Sequence, residues 1–311
     1  QPTVFAVQES QVMSAAKPKL FFIGVGNMGN PMAANLVKAG YPVTVFDVSR
    51  AKADNLIALG ATWLDSLAEG VAHADVVMAS LPGPVQVREV MLGEQGVLAH
   101  VKAGATVIDT STSAVELVRE LVALANSKGV GFLEAPVTNA VDMAALGRLS
   151  IFVGGDLATF EKHKPIFDVI GEKIFHVGEP GNGATIKLLT NLLWFVSAAA
   201  IGEGLMLGAK AGIPLHTVWE AIKSSAGNSW VAEHDVPSIF AGHYDPSFSL
   251  ALCCKDLGLI NGIAKSQGYD LPMGGMAQQL FQQAMATYGP DAAELHVVKL
   301  LEERVGHMLR P

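Results

Sequence analysis

Lys187 and Asn191 stand four residues apart in the run KLLTNLLWFVSAAAIGEGLML, residues 187–207. Side chains four apart share one face of a helix. A lysine on the first turns of an otherwise apolar helix is costly to bury unless it has work or a partner. Desolvation and the positive end of the helix dipole both lower its pKa from about 10.4. A lysine tuned in this way exchanges a proton near neutral pH, the property of a general acid/base at a carbonyl or hydroxyl, and Asn191 is placed to orient it. The alternative readings are a surface lysine linking two domains and a simple polar contact within the helix.

A second constellation lies near the start. Residues 20–23 read as a strand that runs directly into Gly24-Val25-Gly26-Asn27-Met28-Gly29, and the helical pattern of residues 28–38 follows. In this GxGxxG the first glycine makes the tight turn, the second lets a pyrophosphate approach the backbone, and the third allows close helix-to-strand packing. The helix N-terminus then holds the phosphates. The second strand, residues 43–46, ends at Asp47, where an acidic residue receives ribose hydroxyls and repels a 2′-phosphate. That favours NAD. NADP stays possible because Ser49 and Arg50 lie close enough to bind a phosphate, and Asp47 can also be read as a turn or capping residue.

Both constellations need elements to hold them. Short apolar runs at 20–23, 43–46, 76–79, 106–108, 131–133, 150–153 and 173–176 alternate with helical patterns at 28–38, 51–58, 85–91, 114–126 and 157–170. This is the sequence form of an α/β Rossmann-type domain with a mostly parallel sheet. Gly40, Gly60 and Gly129 follow helical runs as stops. After Gly178 strand-like runs cease. A long helix near 184–211 and four or five more, punctuated by Pro214, Pro237, Pro246, Pro272 and Pro290, predict an all-α C-terminal domain. The expected division is a loose lead-in at 1–17, the dinucleotide-binding domain at 18–180 and a helical substrate and dimerisation domain at 181–311.

Composition narrows the function. With 50% hydrophobic residues, 16% charged residues and a net charge of −8 in 311 residues, the chain is neither disordered nor drawn to nucleic acid. The apolar helix is interrupted by Thr190, Asn191, Ser197 and Glu203, so we expect a buried helix and no membrane partner. Roughly 130 residues of helical domain cannot cover it on all sides, and a partner subunit is expected to bury the rest. Cys253 and Cys254 are adjacent and unsuited to a mutual disulfide. With no signal-peptide pattern, they point to a reducing cytoplasm. Neither CxxC nor HExxH occurs, so no metal site is expected.

The opening FIGVGNMGNPMAANL, residues 22–36, resembles the cofactor signature of the β-hydroxyacid dehydrogenases, the group that includes 3-hydroxyisobutyrate dehydrogenase, tartronate semialdehyde reductase and the shorter relatives of 6-phosphogluconate dehydrogenase. Four later segments agree in order: Ser80-Leu81-Pro82; Ile108-Asp109-Thr110-Ser111-Thr112; Gly181-Asn182-Gly183 with Lys187 and Asn191; and Lys255-Asp256-Leu257-Gly258-Leu259. The resemblance implies that Leu81, Pro82, Gln86, Thr112 and Lys255 contact the cofactor. It also implies that Lys187 is the catalytic acid/base of a hydride transfer on a small β-hydroxy acid or its semialdehyde, and that the protein is a homodimer or homotetramer. Asp256, one position from Lys255, is expected to face elsewhere as a structural ion pair or cap.

One segment departs from the pattern. The acid-binding stretch, usually Ala-Pro-Val-Ser-Gly-Gly after an acidic residue, reads Glu134-Ala135-Pro136-Val137-Thr138-Asn139-Ala140. Thr138, Asn139 and Ala140 are therefore the expected carboxylate-binding positions, with side chains where glycines leave room. Ser224, Ser225, Asn228, Trp230 and Trp194 are placed near the pocket mouth, whereas His234 and His243 lack a supporting motif. Competing readings are an imine reductase, whose relatives generally replace the lysine, and a catalytically silent dinucleotide-binding scaffold. A decarboxylating 6-phosphogluconate enzyme would need a longer second domain.

Overall fold

The structure is a computed structural model that describes residues 16–311, so most of the expected lead-in lies outside the described residues. In chain order the α/β half contains β1 (Leu20–Ile23), α1 (Gly29–Lys38), β2 (Val43–Phe46), α2 (Asp54–Ala58), β3 (Thr62–Trp63), α3 (Leu67–His73), β4 (Val76–Ala79), α4 (Pro84–Leu92), α5 (Val97–His100), β5 (Thr106–Asp109), α6 (Val115–Ser127), β6 (Gly131–Glu134), β7 (Val137–Thr138), α7 (Ala140–Ala145), β8 (Leu149–Gly154), α8 (Leu157–Ile170) and β9 (Gly171–Gly178). The helical half contains α9 (Asn182–Lys210), α10 (Leu215–Lys223), α11 (Val236–Ala241), α12 (Leu250–Ser266), α13 (Pro272–Tyr288) and α14 (His296–Val305).

All seven expected strands form. Three elements differ in kind or were too short to carry a period. The expected helix at 51–58 begins as a 3-10 turn over Arg50–Ala53, and β3 and β7 have two residues each. The strand order is β3-β2-β1-β4-β5-β6-β8-β7, with β9 on β8. β3 through β6 run parallel, and β8 is antiparallel to both β6 and β7. Every residue of β1 (LFFI), β4 (VVMA) and β5 (TVID) is buried, because helices cover both faces of a parallel sheet. The order reverses between β1 and β4, which opens a crevice at their carboxyl ends, and both the glycine turn and Leu81-Pro82 emerge there.

Separate apolar cores fill the two faces of the sheet, and a third lies within the helical half around Phe195, Leu205, Leu257 and Phe281. α9 has 29 residues and is apolar on all sides, with mean hydropathy 1.6 in its most apolar stretch, enough in length and composition to cross a membrane. One face enters the core, while Leu189, Leu193 and Leu207 are 45%, 62% and 75% exposed, so the helical half covers only part of its circumference, as its size led us to expect. The remaining helices are too few to surround it.

Candidate active site

At the cofactor end the glycines separate by role. Gly24 has φ +85°, and a Cβ there would fall 2.3 Å from the Ser80 carbonyl oxygen. A Cβ on Gly29 would lie 1.9 Å from the Gly24 carbonyl oxygen. At Gly26 a Cβ would meet nothing within 4 Å, which leaves open space against bare backbone. The following α1 has no side-chain cap and no acidic residue in its first turn. The cradle therefore fits a dinucleotide pyrophosphate on uncapped amides. Asn27 is exposed and Met28 half-buried at its rim, whereas Val25 is buried.

Asp47 is more engaged than a free ribose acceptor. It is nine-tenths buried and accepts the Val25 N–H at 3.0 Å and the Ser49 N–H at 2.9 Å, with Lys52 Nζ 3.5 Å away. It thereby ties the glycine turn to the end of β2, and the amide of Val25 is already occupied. Arg50 is exposed and pairs with Asp54 at 3.8 Å.

The next two strand ends are joined through hydroxyls. Buried Asp109 accepts the Ser111 N–H at 3.0 Å, and Ser111 Oγ accepts the Leu81 N–H at 2.9 Å. Burial raises the Asp109 carboxyl to about 6. Pro82 and Gln86 are exposed and Thr112 is half-buried. Lys255, from α12, crosses to this surface and donates to the Pro82 carbonyl at 2.9 Å and the Thr112 carbonyl at 3.4 Å. A Cβ on Gly83 would lie 2.8 Å from the Lys255 stem, so that glycine, which sequence reading passed over, leaves room for the crossing. Lys255 thus joins the two halves beside the expected cofactor surface.

Asp256 corrects an expectation. It does not face elsewhere: it is 1% exposed and accepts the Asn191 Nδ2–H at 2.7 Å. Its other oxygen lies 3.0 Å from Lys255 Nζ, an ion pair without hydrogen-bond alignment. The ion-pair role holds, and its direction was misread because α12 packs its Asp256 face on α9. A charged pair beside an apolar helical run was the available signal.

Lys187 and Asn191 are buried on the same face of α9. Among the described residues no hydrogen bond from Lys187 Nζ is formed. Burial depresses its pKa from 10.5 to about 8, with Lys255 adding to the depression and Asp256 opposing it. Burial is the leading cause, and the start of α9, whose dipole would act in the same sense, is plugged. The Glu134 carboxylate accepts the N–H groups of Gly181, Gly183 and Ala184 at 2.5 to 2.9 Å. Gly181 sits at φ +96°, and a Cβ on Gly183 would strike the Phe152 carbonyl at 2.5 Å and the Glu134 carboxyl at 3.1 Å. The glycines before α9 admit that carboxylate, a role that sequence reading did not give it; burial pushes the Glu134 carboxyl upward despite its three donors.

The departing segment keeps a glycine-like backbone. Asn139 and Ala140 lie at φ 87° and 60°, left-handed conformations that cost residues with a Cβ roughly 1–2 kcal/mol each. Asn139 Nδ2 donates to Ser150 Oγ at 2.9 Å, so its side chain folds back on β8. Thr138 is half-buried and Ala140 exposed. Of the expected mouth residues, Ser224 and Ser225 are exposed, Asn228 bonds Glu233 at 2.7 Å, and Trp230 stacks on His234 at 3.7 Å. Trp194 is turned toward Asp235, to which its Nε1–H donates at 3.1 Å.

Known proteins resemble this chain in sequence and fold. Residues 19–178 match the NAD binding domain of 6-phosphogluconate dehydrogenase, and residues 181–301 match the NAD-binding domain of NADP-dependent 3-hydroxyisobutyrate dehydrogenase. The chain is 36% identical to 2-(hydroxymethyl)glutarate dehydrogenase of Eubacterium barkeri over 93% of its own length and 96% of that protein. It is 33% identical to 2-hydroxy-3-oxopropionate reductase of Escherichia coli, over 94% and 99%. The structure of Mycobacterium tuberculosis 3-hydroxyisobutyrate dehydrogenase with L-serine superposes with a TM-score of 0.84 at 34% identity, covering 92% of this chain and 99% of that one. Imine reductases share the fold at 17 to 20% identity. Cofactor cradle, buried lysine and both family models agree: the chain belongs to the β-hydroxyacid dehydrogenase family of nicotinamide-dependent oxidoreductases.

Proposed function

We propose that this enzyme interconverts a small β-hydroxy acid and its semialdehyde in the cleft between residues 18–180 and 181–311, with Lys187 as acid/base. The observation that carries the reading is a buried lysine whose pKa is lowered to about 8, beside Asn191. A bound nicotinamide would supply or accept the hydride. In reduction the Lys187 ammonium protonates the developing alkoxide, and in oxidation the neutral amine removes the hydroxyl proton. Asn191 acts as the orienting group, its amide fixed by Asp256. Thr138, with the left-handed turn at Asn139 and Ala140, is the proposed seat of the substrate carboxylate.

Asp47 supports a preference for NAD over NADP, since a second anion beside its buried carboxylate would be repelled. Retention of Lys187 in a costly site argues against a silent scaffold and against an imine reductase. The reading includes a cytoplasmic enzyme with free thiols and a homodimer or homotetramer built on the exposed leucines of α9. Light scattering at micromolar concentration should give at least twice the chain mass; a monomer would reject the assembly.

The test of function is NADH and NADPH oxidation across a panel of C3 to C5 semialdehydes, sulfonated and phosphorylated analogues included, in wild type and Lys187→Met. The variant should lose about 10²- to 10⁴-fold in kcat on the best substrate, with NADH affinity unchanged. Near-normal turnover would remove Lys187 from the reaction.

A further inference from the structure

One turn along α9 from Asn191, three carboxylates from separate segments of the helical half converge. Asp235 lies in a π-helical turn (Val231–Asp235) just before α11, Asp245 in the loop before α12, and Glu294 in the segment before α14. One carboxylate oxygen from each lies within 4.8 Å of the other two. Glu294 is 2% exposed, and neither of its carboxylate oxygens has a hydrogen-bond partner among the described residues. No lysine, arginine or histidine among the described residues lies within 4.0 Å of any of the three. Burial and mutual repulsion push the Asp235 carboxyl up to about 6 and the Glu294 carboxyl well above the usual range, so the cluster must either take up protons or be joined by a cation.

The scaffold holds the groups in place. The Glu294 amide donates to the Phe248 carbonyl at 2.9 Å, and Ser249 bridges to Ala293, which fixes the Asp245 loop against Glu294. The Asp245 carboxylate accepts the Ser247 N–H at 3.0 Å. Asp235 is oriented by Trp194 Nε1, one turn along α9 from Asn191. Asp245 is half-buried and gives the cluster its opening to solvent.

We propose that Asp235, Asp245 and Glu294 bind one hard divalent cation. The donors are all carboxylate oxygens, the set chosen by Ca²⁺, Mg²⁺ and Mn²⁺ rather than by zinc. Mg²⁺ dehydrates reluctantly and is seldom held in an all-protein cage, so a buried carboxylate set suits the larger Ca²⁺ better. The cation would join the π-helical turn, the loop and the α14 lead to the middle of α9, stabilising the helical half without entering the reaction.

Isothermal titration of EDTA-treated full-length protein with CaCl₂, MnCl₂ and MgCl₂ tests this. One ion per chain is expected, Ca²⁺ binding more tightly than Mg²⁺. Saturation should raise the Tm by roughly 2 °C or more and change the indole emission, a change that Trp194→Phe removes while binding persists. Glu294→Gln and the more exposed Asp245→Asn should each weaken Ca²⁺ binding at least tenfold, and Asp245→Asn should keep wild-type NADH oxidation in cation-free buffer. Absence of binding by the wild type at millimolar cation, or equal binding by both variants, would overturn the proposal.

Discussion

Two helices of this protein begin after glycine-rich turns, and the turns do opposite things. Before α1, Gly26 faces open space and the helix start carries no internal cap. Before α9, Gly181 and Gly183 make room for Glu134, whose carboxylate takes three backbone N–H groups. Both starts offer the same partial positive charge. One is left for a ligand's phosphates, and the other is satisfied by the protein itself, so a glycine-led helix start signifies anion binding only when nothing in the fold already stands in front of it. Burial is the leading cause of the low pKa of Lys187.

Placing a carboxylate before α1 would make the two starts alike. Gly26→Glu should weaken NADH binding about 100-fold or more, because like charges in one site cost several kcal/mol. Fluorescence titration measures it, and an unchanged affinity would show that phosphates are held elsewhere. Removing the plug is the converse. Glu134→Ala strands three buried amides and should cost at least about 1–3 kcal/mol in urea unfolding, while NADH affinity stays the same. A neutral result would mean that water replaces the carboxylate at no cost.

The smallest effect is the titration of Lys187. Reduction needs the ammonium, so its kcat/KM should be flat below pH 8 and fall up to tenfold per pH unit above it, with oxidation changing in the opposite sense. Stability has its own sign. Lys187 titrates at about 8 when folded and near 10.5 when unfolded, so between those values the unfolded chain binds more protons and the Lys187 contribution to stability rises with pH. A profile centred near 10 would show an unperturbed lysine.

The α/β half was legible because its signals are local. Buried parallel strands read as apolar runs, and Gly24 is required by its own left-handed φ and Gly29 by its approach to the Gly24 carbonyl, both local constraints. The helical half was legible in kind but not in contacts. Asp256 was assigned the wrong direction, and Gly83 was overlooked because its neighbour, Lys255, comes from 172 residues further along the chain. The acidic cluster lay hidden for the same reason, since Asp235, Asp245 and Glu294 form no motif in the sequence.

The sequence by itself determined the order of elements, the dinucleotide cradle, and the pairing of Lys187 with Asn191 on one helical face, all set by short-range periodicity and steric limits on single residues. Only the tertiary structure decided that Glu134 plugs α9, that Asp256 holds Asn191, and that Lys255 spans the two halves. These depend on which distant groups burial brings together, and the cost of burying a charge depends on its neighbours in space rather than on its neighbours in sequence.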